Sequence, residues 1–548
     1  MMPEPLGDSA VVVQIAGAPG TGIADRAALV AAAIVRDPPA GCIDVVPSID
    51  RVTVVYDILR MADLQAFCAE LARIVDSVPA AAGAGERVGT VHEIPVCYGG
   101  EFGPDLDELC RMHGISRARF VELHTGPVYA VEAIGFVPGF PYLGGLPDEL
   151  ITPRRASPRT AVPAGSVGIG GSQTGIYPFT TPGGWNIVGR TGVRLFAADR
   201  DPPALLRAGD RLRFVEASAA DVTAALARTD AVSYAVDGEA AIEVVLPGLS
   251  TTIQDLGRPG HRALGVPSGG AVDAPAMRQA NLIVGNPQSA AGLECTLVGP
   301  DLRFTCDAVV ALAGADFAGL PRWRPLRVAA GSTLSLGQAR SGCRGYLAIA
   351  GGVTVPPGLG SRSTYRPARL GGVNGLPLAA GDRVPIASVS TDVRGTWSLA
   401  PEFAAAPFAP GLLRVIAGPH ASDGGAAAWH GSWRVSSRSD RMGIRLEGAP
   451  LSGGRADLVS AALLPGMIQL PPDGQPIILL ADAQTIGGYP VVGQVIAADL
   501  HRAAQLRPGD TVRWRQVGID EAHAARRRQE AWLDEVRRSL AGRVVWSE

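Results

Sequence analysis

The chain contains no lysine; all 49 of its basic residues are arginine. Biotin therefore cannot be carried on a lysine, no Schiff base can form, a Walker A loop cannot be completed, and a Ser–Ser–Lys amidase cannot be assembled. Any phosphate or carboxylate must be met by arginine, backbone N–H groups or a metal. Long apolar runs are also missing, so no segment reads as a membrane span. The start, Met1-Met2-Pro3-Glu4, lacks the basic and apolar regions of a signal peptide. The seven cysteines are dispersed and form no CxxC pair, as expected of buried thiols in a reducing cytoplasm. A net charge of -3 leaves no electrostatic footprint for nucleic acid or an anionic membrane. Aromatics are scarce at 5%, whereas glycine (69) and proline (44) abound, a balance that predicts many short strands joined by tight turns.

A chain of 548 residues is too long for one core. Strand and helix patterns alternate over 8–96 in the order β-α-β-β-α-β, which predicts a small ferredoxin-like α/β domain over 1–90. Its closing strand is expected at 88–96. Residues 105–125 read as two helices around Gly114-Ile115-Ser116. Asp105, Asp107 and Glu108 would face phosphates if this pair bound DNA, so it is read as a packing hairpin. Residues 127–217 are strand and turn in character, 231–240 read as a linker, and a second β-rich block runs from 241 to 517, divided near 395–411. The tail over 518–548 is a charged amphipathic helix whose apolar stripe packs within the chain or against another subunit, leaving a homo-oligomer open.

One phrase occurs twice. Pro163-Ala164-Gly165, Gln173-Thr174-Gly175-Ile176-Tyr177-Pro178 and Gly209-Asp210 recur as Pro472-Asp473-Gly474, Gln484-Thr485-Ile486-Gly487-Gly488-Tyr489-Pro490 and Gly509-Asp510. The recurrence predicts duplication, with a polar turn at equivalent places in both halves.

Several local motifs fail on chemistry. Gly17-Ala18-Pro19-Gly20-Thr21-Gly22 begins like a P-loop, but Ile23 stands at the lysine position, so it is read as a helix-entry loop. Gly170-Gly171-Ser172-Gln173-Thr174 lacks the second glycine of a nucleophile elbow. The eight histidines show no metal-ligand spacing. His261 lies in a Gly- and charge-rich loop and is kept as a candidate proton-transfer group. Trp185-Asn186 with Arg190, Asp316, Arg362, and Asp440-Arg441 sit in polar loops. Arginines 190, 362 and 441 are read as grips for a carboxylate or phosphate, against the alternative of arginines bracing turns.

Gly135-Phe136-Val137-Pro138-Gly139-Phe140-Pro141-Tyr142-Leu143-Gly144-Gly145-Leu146, with 153–192, resembles the allophanate hydrolase subunit 1 family, also known as the B subunit of 5-oxoprolinase. Residues 242–517 resemble the subunit 2 family, the C subunit of 5-oxoprolinase, through Thr252–Arg258, Gly360–Thr364, Ser439–Gly443 and Gln484–Pro490. The resemblance implies a mainly β fold with α+β, cyclophilin-like β-barrels in both halves, and a small α/β domain in front. On this basis 91–230, 241–395 and 396–517 are each expected to be a barrel.

The resemblance also implies a component of an ATP-dependent 5-oxoprolinase that acts on a small amide or lactam with a separate third subunit. The alternatives are the carboxyltransferase component of a biotin-dependent urea or amide carboxylase, with biotin on another polypeptide, and a regulator of a histidine kinase. ATP and Mg²⁺ are the expected cofactors. His261, Arg441, Asp440 and Asp273 are the candidate catalytic residues, and Asp273, Asp316 or Asp440 the candidates for holding Mg²⁺. Gln173, Thr174, Tyr177, Trp185, Asn186, Arg190, Asp316, Arg362, Gln484, Thr485 and Tyr489 are the candidate substrate or nucleotide contacts.

Overall fold

The computed structural model describes residues 2–16, 22–79, 91–227, 240–387, 397–403, 411–424, 427–455 and 458–544. The glycine-rich loop over 17–21, most of the 231–240 linker and much of 395–411 lie outside the described residues. No helix among them is long and apolar enough to cross a membrane.

The first unit is a four-stranded antiparallel sheet in the order Glu4–Leu6, Ala10–Gln14, Arg51–Tyr56, Cys42–Ser48. Strand periodicity explains its two faces. Val11, Val13, Val52 and Val54 turn to one side and pack on helices Ile23–Arg36 and Leu64–Ser77, while Ala10, Val12, Thr53 and Val55 form the other. The strand expected at 88–96 does not close this sheet. It is Val91–Tyr98, and it enters the next unit, pairing in parallel with Arg211–Glu216. The hairpin Glu4–Leu6 takes the free edge instead, a local pairing with little loop-closure cost.

Two seven-stranded barrels follow, one in each half. Each closes through one parallel pair, Val91–Tyr98 with Arg211–Glu216 and Leu412–Ala417 with Thr511–Gln516. Their interiors are filled by Ile94, Leu143, Val167 and Phe214 in the first, and by Val415, Trp433, Ile468 and Val512 in the second. The two helices Leu106–His113 and Arg117–Thr125 pack on the first barrel, as a hairpin should. Asp105 is buried and accepts from Arg155, Arg159 and the Ile187 N–H.

The Gly-Asp turns are equivalent in the two barrels. Arg207 N–H donates to the Asp210 carboxylate at 2.7 Å and Arg507 N–H to Asp510 at 2.8 Å, while Gly209 and Gly509 both stand at φ 92°. Only glycine takes that conformation without strain. A third copy follows at Gly381-Asp382, where Ala379 N–H donates to Asp382 at 2.7 Å. The Gln-Thr phrases, in contrast, are not equivalent, which corrects the expected register. Gly165 accepts from Thr191 N–H and Gly466 from Val495 N–H, so the counterpart of Pro163–Gly165 is Leu464–Gly466. Gln173-Thr174 therefore lies on a barrel strand matched by Ile477–Leu479, whereas Gln484-Thr485 lies in the turn after that strand. Spacing alone misaligned them because the loops differ in length.

Residues 241–387 correct a second expectation, since they do not close into a barrel. A four-stranded sheet (Thr333–Ser335, Asp301–Phe304, Ala241–Leu246, Arg383–Pro385) packs face to face on a five-stranded sheet containing Ala308–Phe317 and Ala339–Ile349. Ile242, Leu302 and Phe304 from one sheet meet Leu293, Leu312 and Leu347 from the other, which makes this unit a sandwich.

The halves are packed together. Ala10, with partly buried Leu6 and Val55, sets the second face of the N-terminal sheet on Leu463, Leu464 and Met467 of the second barrel. The C-terminal helix Ile519–Ser539 straps both, with Val536 and Leu540 against Met277 and Ala280, and His523 on Tyr56 at 3.1 Å. Its apolar stripe is thus used within the chain.

Asp8 lies under this strap. Burial pushes its carboxyl up to about 6, against the opposing 2.7 Å bond from Ala497 N–H. A raised carboxyl costs stability above its folded pKa, and that cost disappears below its unfolded value, near 3.8. Asp8→Asn, which keeps an acceptor for Ala497, should raise stability by about 2 kcal/mol at pH 8 and leave it unchanged near pH 3.5. Equal urea midpoints at pH 8 would refute this.

Candidate functional site

Three assemblies stand out, the first and third where units meet and the second inside the sandwich. The first joins the sandwich to the second barrel. Arg441 donates from Nε and Nη2 to Asp482 at 2.8 and 2.9 Å, from Nη2 to the Gly270 carbonyl at 2.7 Å, and from Nη1 to Glu294. Tyr346 donates to Glu294 at 2.8 Å, and Gln505 donates to Asp273 at 2.7 Å. Burial would push the Glu294 carboxyl up, but Arg441 and Arg344 overrule it and hold the carboxyl below its usual range. Asp273 also caps the helix Ala274–Ile283 by accepting from Ala276 N–H at 3.0 Å.

The second is the Asp255 knot. Its carboxylate accepts from Gly257 N–H (2.7 Å), Arg362 N–H (2.6 Å), Ser361 Oγ (2.6 Å) and Ser363 Oγ. Here the family phrases Gln254–Arg258 and Gly360–Thr364 clasp one another.

The third is the junction of the two halves. Phe140, Tyr142, Tyr177 and Trp185 of the first barrel form an edge-to-face cluster against Ala462 and Ile486 of the second. Gly135 is needed here, because a Cβ on it would stand 2.5 Å from the Ile486 side chain. The Tyr142 hydroxyl, pushed up to about 12 by burial, hydrogen-bonds Ser460 across the junction. Asp44 of the N-terminal sheet adds a second tie, accepting from Gly260 and Arg262 N–H groups at 3.0 and 3.2 Å, and Arg262 Nη2 in turn donates to the Leu463 carbonyl at 2.5 Å within the second half. Beside this junction a cavity of about 230 Å³ opens between the second face of the N-terminal sheet and the second barrel. Its wall includes Val12, Arg51, Thr53, His420, Gly487 and Tyr489.

The sequence candidates therefore divide. Tyr489 lines the cavity, and Gln484 and buried Thr485 stand in the same turn. Tyr177 and Trp185 belong to the aromatic cluster. His261 is half-buried beside the Asp44-anchored loop, where its carbonyl accepts from Leu264 N–H at 3.0 Å. The others are apart from this junction or committed elsewhere. Gln173 donates to Glu132 at 2.7 Å, Thr174 donates to the Gly168 carbonyl at 3.0 Å, Asn186 to the Pro153 carbonyl at 2.9 Å, and Arg190 to the Ala164 carbonyl at 2.8 Å. Asp316 pairs with Arg322 at 3.7 Å, Asp440 caps its own turn through Met442 N–H at 2.8 Å, and the Arg362 backbone is held by Asp255. Arg441 is a brace between domains rather than a free anion grip, since each guanidinium nitrogen already has an acceptor. Sequence reasoning missed Thr53, His420 and Glu294. Only Glu294 left a signal, a lone acid in the buried strand Gly292–Thr296.

Comparison with known proteins agrees with this architecture. Residues 264–516 match the family described as carboxyltransferase domain, subdomain A and B, and residues 1–206 match carboxyltransferase domain, subdomain C and D. The chain is 39% identical over 310 residues to the C subunit of 5-oxoprolinase from Escherichia coli (strain K12), covering 54% of this chain and 97% of that protein. It is 40% identical over 224 residues to the B subunit of 5-oxoprolinase from Bacillus subtilis (strain 168), covering 40% of this chain and 93% of that protein. The crystal structure of TTHA0988 aligns with a TM-score of 0.80 at 35% identity, over 92% of this chain and 99% of that one. The chain belongs to the carboxyltransferase-domain family of the 5-oxoprolinase B and C subunits, with the two joined in one polypeptide.

Proposed function

We propose that the chain is the joined B–C component of an ATP-dependent 5-oxoprolinase, which opens 5-oxo-L-proline to L-glutamate together with a separate third subunit. One observation carries this reading: a single chain spans 93% of a B subunit and 97% of a C subunit. The packing of the halves supports it, since they bury a shared aromatic junction and a shared cavity.

The lactam amide is resonance-stabilised, so opening it requires activation of its carbonyl and a water held in line. ATP supplies the activation. The acids considered for Mg²⁺ do not fit that role here. Asp273, Asp316 and Asp440 stand in three separate settings, and among the described residues no three His, Cys, Asp or Glu side chains gather as a metal site. No step is therefore routed through Mg·ATP on this chain. Its own part is to hold and orient the lactam at the junction of the halves, with Tyr489 and Gln484 as hydrogen-bonding groups and His261 nearby as the candidate for moving a proton.

The purified chain with the third subunit should release ADP and glutamate only when 5-oxoproline and ATP are both present, and the chain alone should release neither. If the reconstituted pair hydrolyses ATP but forms no glutamate, the reading fails.

A further inference from the structure

One outer face of the second barrel carries an excess of arginine. It runs across the neighbouring strands Gly443–Glu447, Trp433–Val435, Thr511–Gln516 and Leu412–Ala417. Strand alternation sends Ile444, Trp433, Val512 and Leu413 into the core and turns Arg445, Arg434, Arg513, Arg515 and Arg414 outward. At one end of the face, Leu412, Arg414, Arg502 and Arg515 line a cavity of about 230 Å³, and Leu412 is 49% exposed.

This charge is only partly neutralised within the chain. Arg414 and Arg502 share the buried Asp499, at 2.6 and 3.5 Å, and Arg515 pairs with Glu521. Glu447, opposite Arg434 in the ladder, lies 3.9 Å from Arg438 instead. Arg434, Arg445 and Arg513 are exposed and have no carboxylate within 4.0 Å among the described residues. In a chain of net charge -3, such a face is a local reversal of sign.

The first barrel shows that the fold does not require these arginines. Counted from the equivalent Gly-Asp turns, Arg434, Arg414 and Arg515 take the places of Ala130, Pro95 and Val215. The first barrel also uses this side to hold a neighbouring unit. Ala133 packs with Val46 of the N-terminal sheet, and Arg211 donates to Asp25 of the helix Ile23–Arg36 at 2.6 Å. An aspartate from another unit thus already meets an arginine on the equivalent side of the sister barrel.

We propose that the arginine face of the second barrel docks an acidic face of another polypeptide. Its carboxylates would meet Arg434, Arg445 and Arg513, with an apolar contact on Leu412. Arginine suits such a contact because its planar fork accepts a carboxylate through two parallel hydrogen bonds. Resting on the function proposed above, the partner is the separate third subunit.

Sedimentation velocity of the full chain with the third subunit tests this. The complex should weaken about tenfold between about 50 mM and about 500 mM salt. Arg445→Glu with Arg513→Glu should weaken it about a hundredfold at an unchanged melting temperature, because neither arginine has an acidic partner to lose. Arg445→Gln with Arg513→Gln, which removes charge without adding repulsion, should weaken it about tenfold. Arg527→Glu with Arg528→Glu, exposed on the C-terminal helix, should leave it unchanged. Equal affinity of wild type and both face variants, an equal loss in the helix variant, or no complex with wild type would overturn the assignment. So would capture of a labelled DNA duplex through the same arginines with no hold on the third subunit. If the charge-reversed chain makes glutamate at the wild-type rate with limiting third subunit, the docking falls and the function reading stands. If the complex depends on this face but makes no glutamate, the docking stands and the function reading falls.

Discussion

Arg441→Ala should destabilise the chain by about 3–5 kcal/mol, the cost of leaving buried charges without their partner. Glu294 is 1% and Asp482 6% exposed, and both face this one guanidinium. Without it, two carboxylates would remain in a site that water barely reaches, and both would be driven toward protonation. Burial already raises the Asp482 carboxyl, and without Arg441 the folded pKa values of both acids would lie above the unfolded ones. The loss should be full at pH 8 and smaller at pH 4, where protonation relieves the repulsion. Urea unfolding followed by the fluorescence of the buried Trp433 in the second barrel would show it as a lower midpoint. A shift below about 1 kcal/mol, with turnover lost, would return Arg441 to a direct role in chemistry.

Asp255→Ala should cost about 2–4 kcal/mol, since it strips the acceptor from two backbone N–H groups and two hydroxyls at once. The carboxylate joins the Gln254–Arg258 loop to Gly360–Thr364 through 2.6 Å bonds from Ser361 Oγ and Arg362 N–H, beside the weaker tie from Gln254 Nε2 to the Thr364 carbonyl and that from Arg258 to the Ser363 carbonyl. Its loss should free both loops together. Hydrogen exchange at the Gly257 and Arg362 amides should therefore accelerate in step, whereas a merely surface role would alter neither. Unchanged exchange at both amides would sink the knot as a structural unit.

Both effects concern phrases that were visible in the sequence, yet their meaning was not. Ser439–Gly443 and Gly360–Thr364 look like ligand loops because they are polar and turn-forming. In the fold, Arg441 is spent on bonds between units, Ser361 and Ser363 on the Asp255 knot inside the sandwich, and Ser439 and Asp440 on their own turn. Composition cannot separate these cases, since a buried bridge and an open site use the same residue types. The Gln-Thr repeat shows the same limit. Its letters match, but hydrogen bonds at Gly165 and Gly466 set a different register. The Gly-Asp turns were legible because conformation itself demands glycine at a positive φ and an acceptor at the next residue.

By itself the sequence determined the family, the two-part plan, two of the three barrels expected and the chemistry closed to a chain without lysine. The family and the barrels follow from the resemblance carried by long ordered motifs, and the closed chemistry from the residue inventory; neither needs knowledge of distant contacts. Only the tertiary structure decided that Val91–Tyr98 leaves the first sheet, that 241–387 is a sandwich, and that Thr53, His420 and Tyr489 share one cavity. Thr53 and His420 lie more than three hundred residues apart. Their meeting depends on how the second face of the N-terminal sheet buries itself against the second barrel, and that packing is a non-local choice that no single segment encodes.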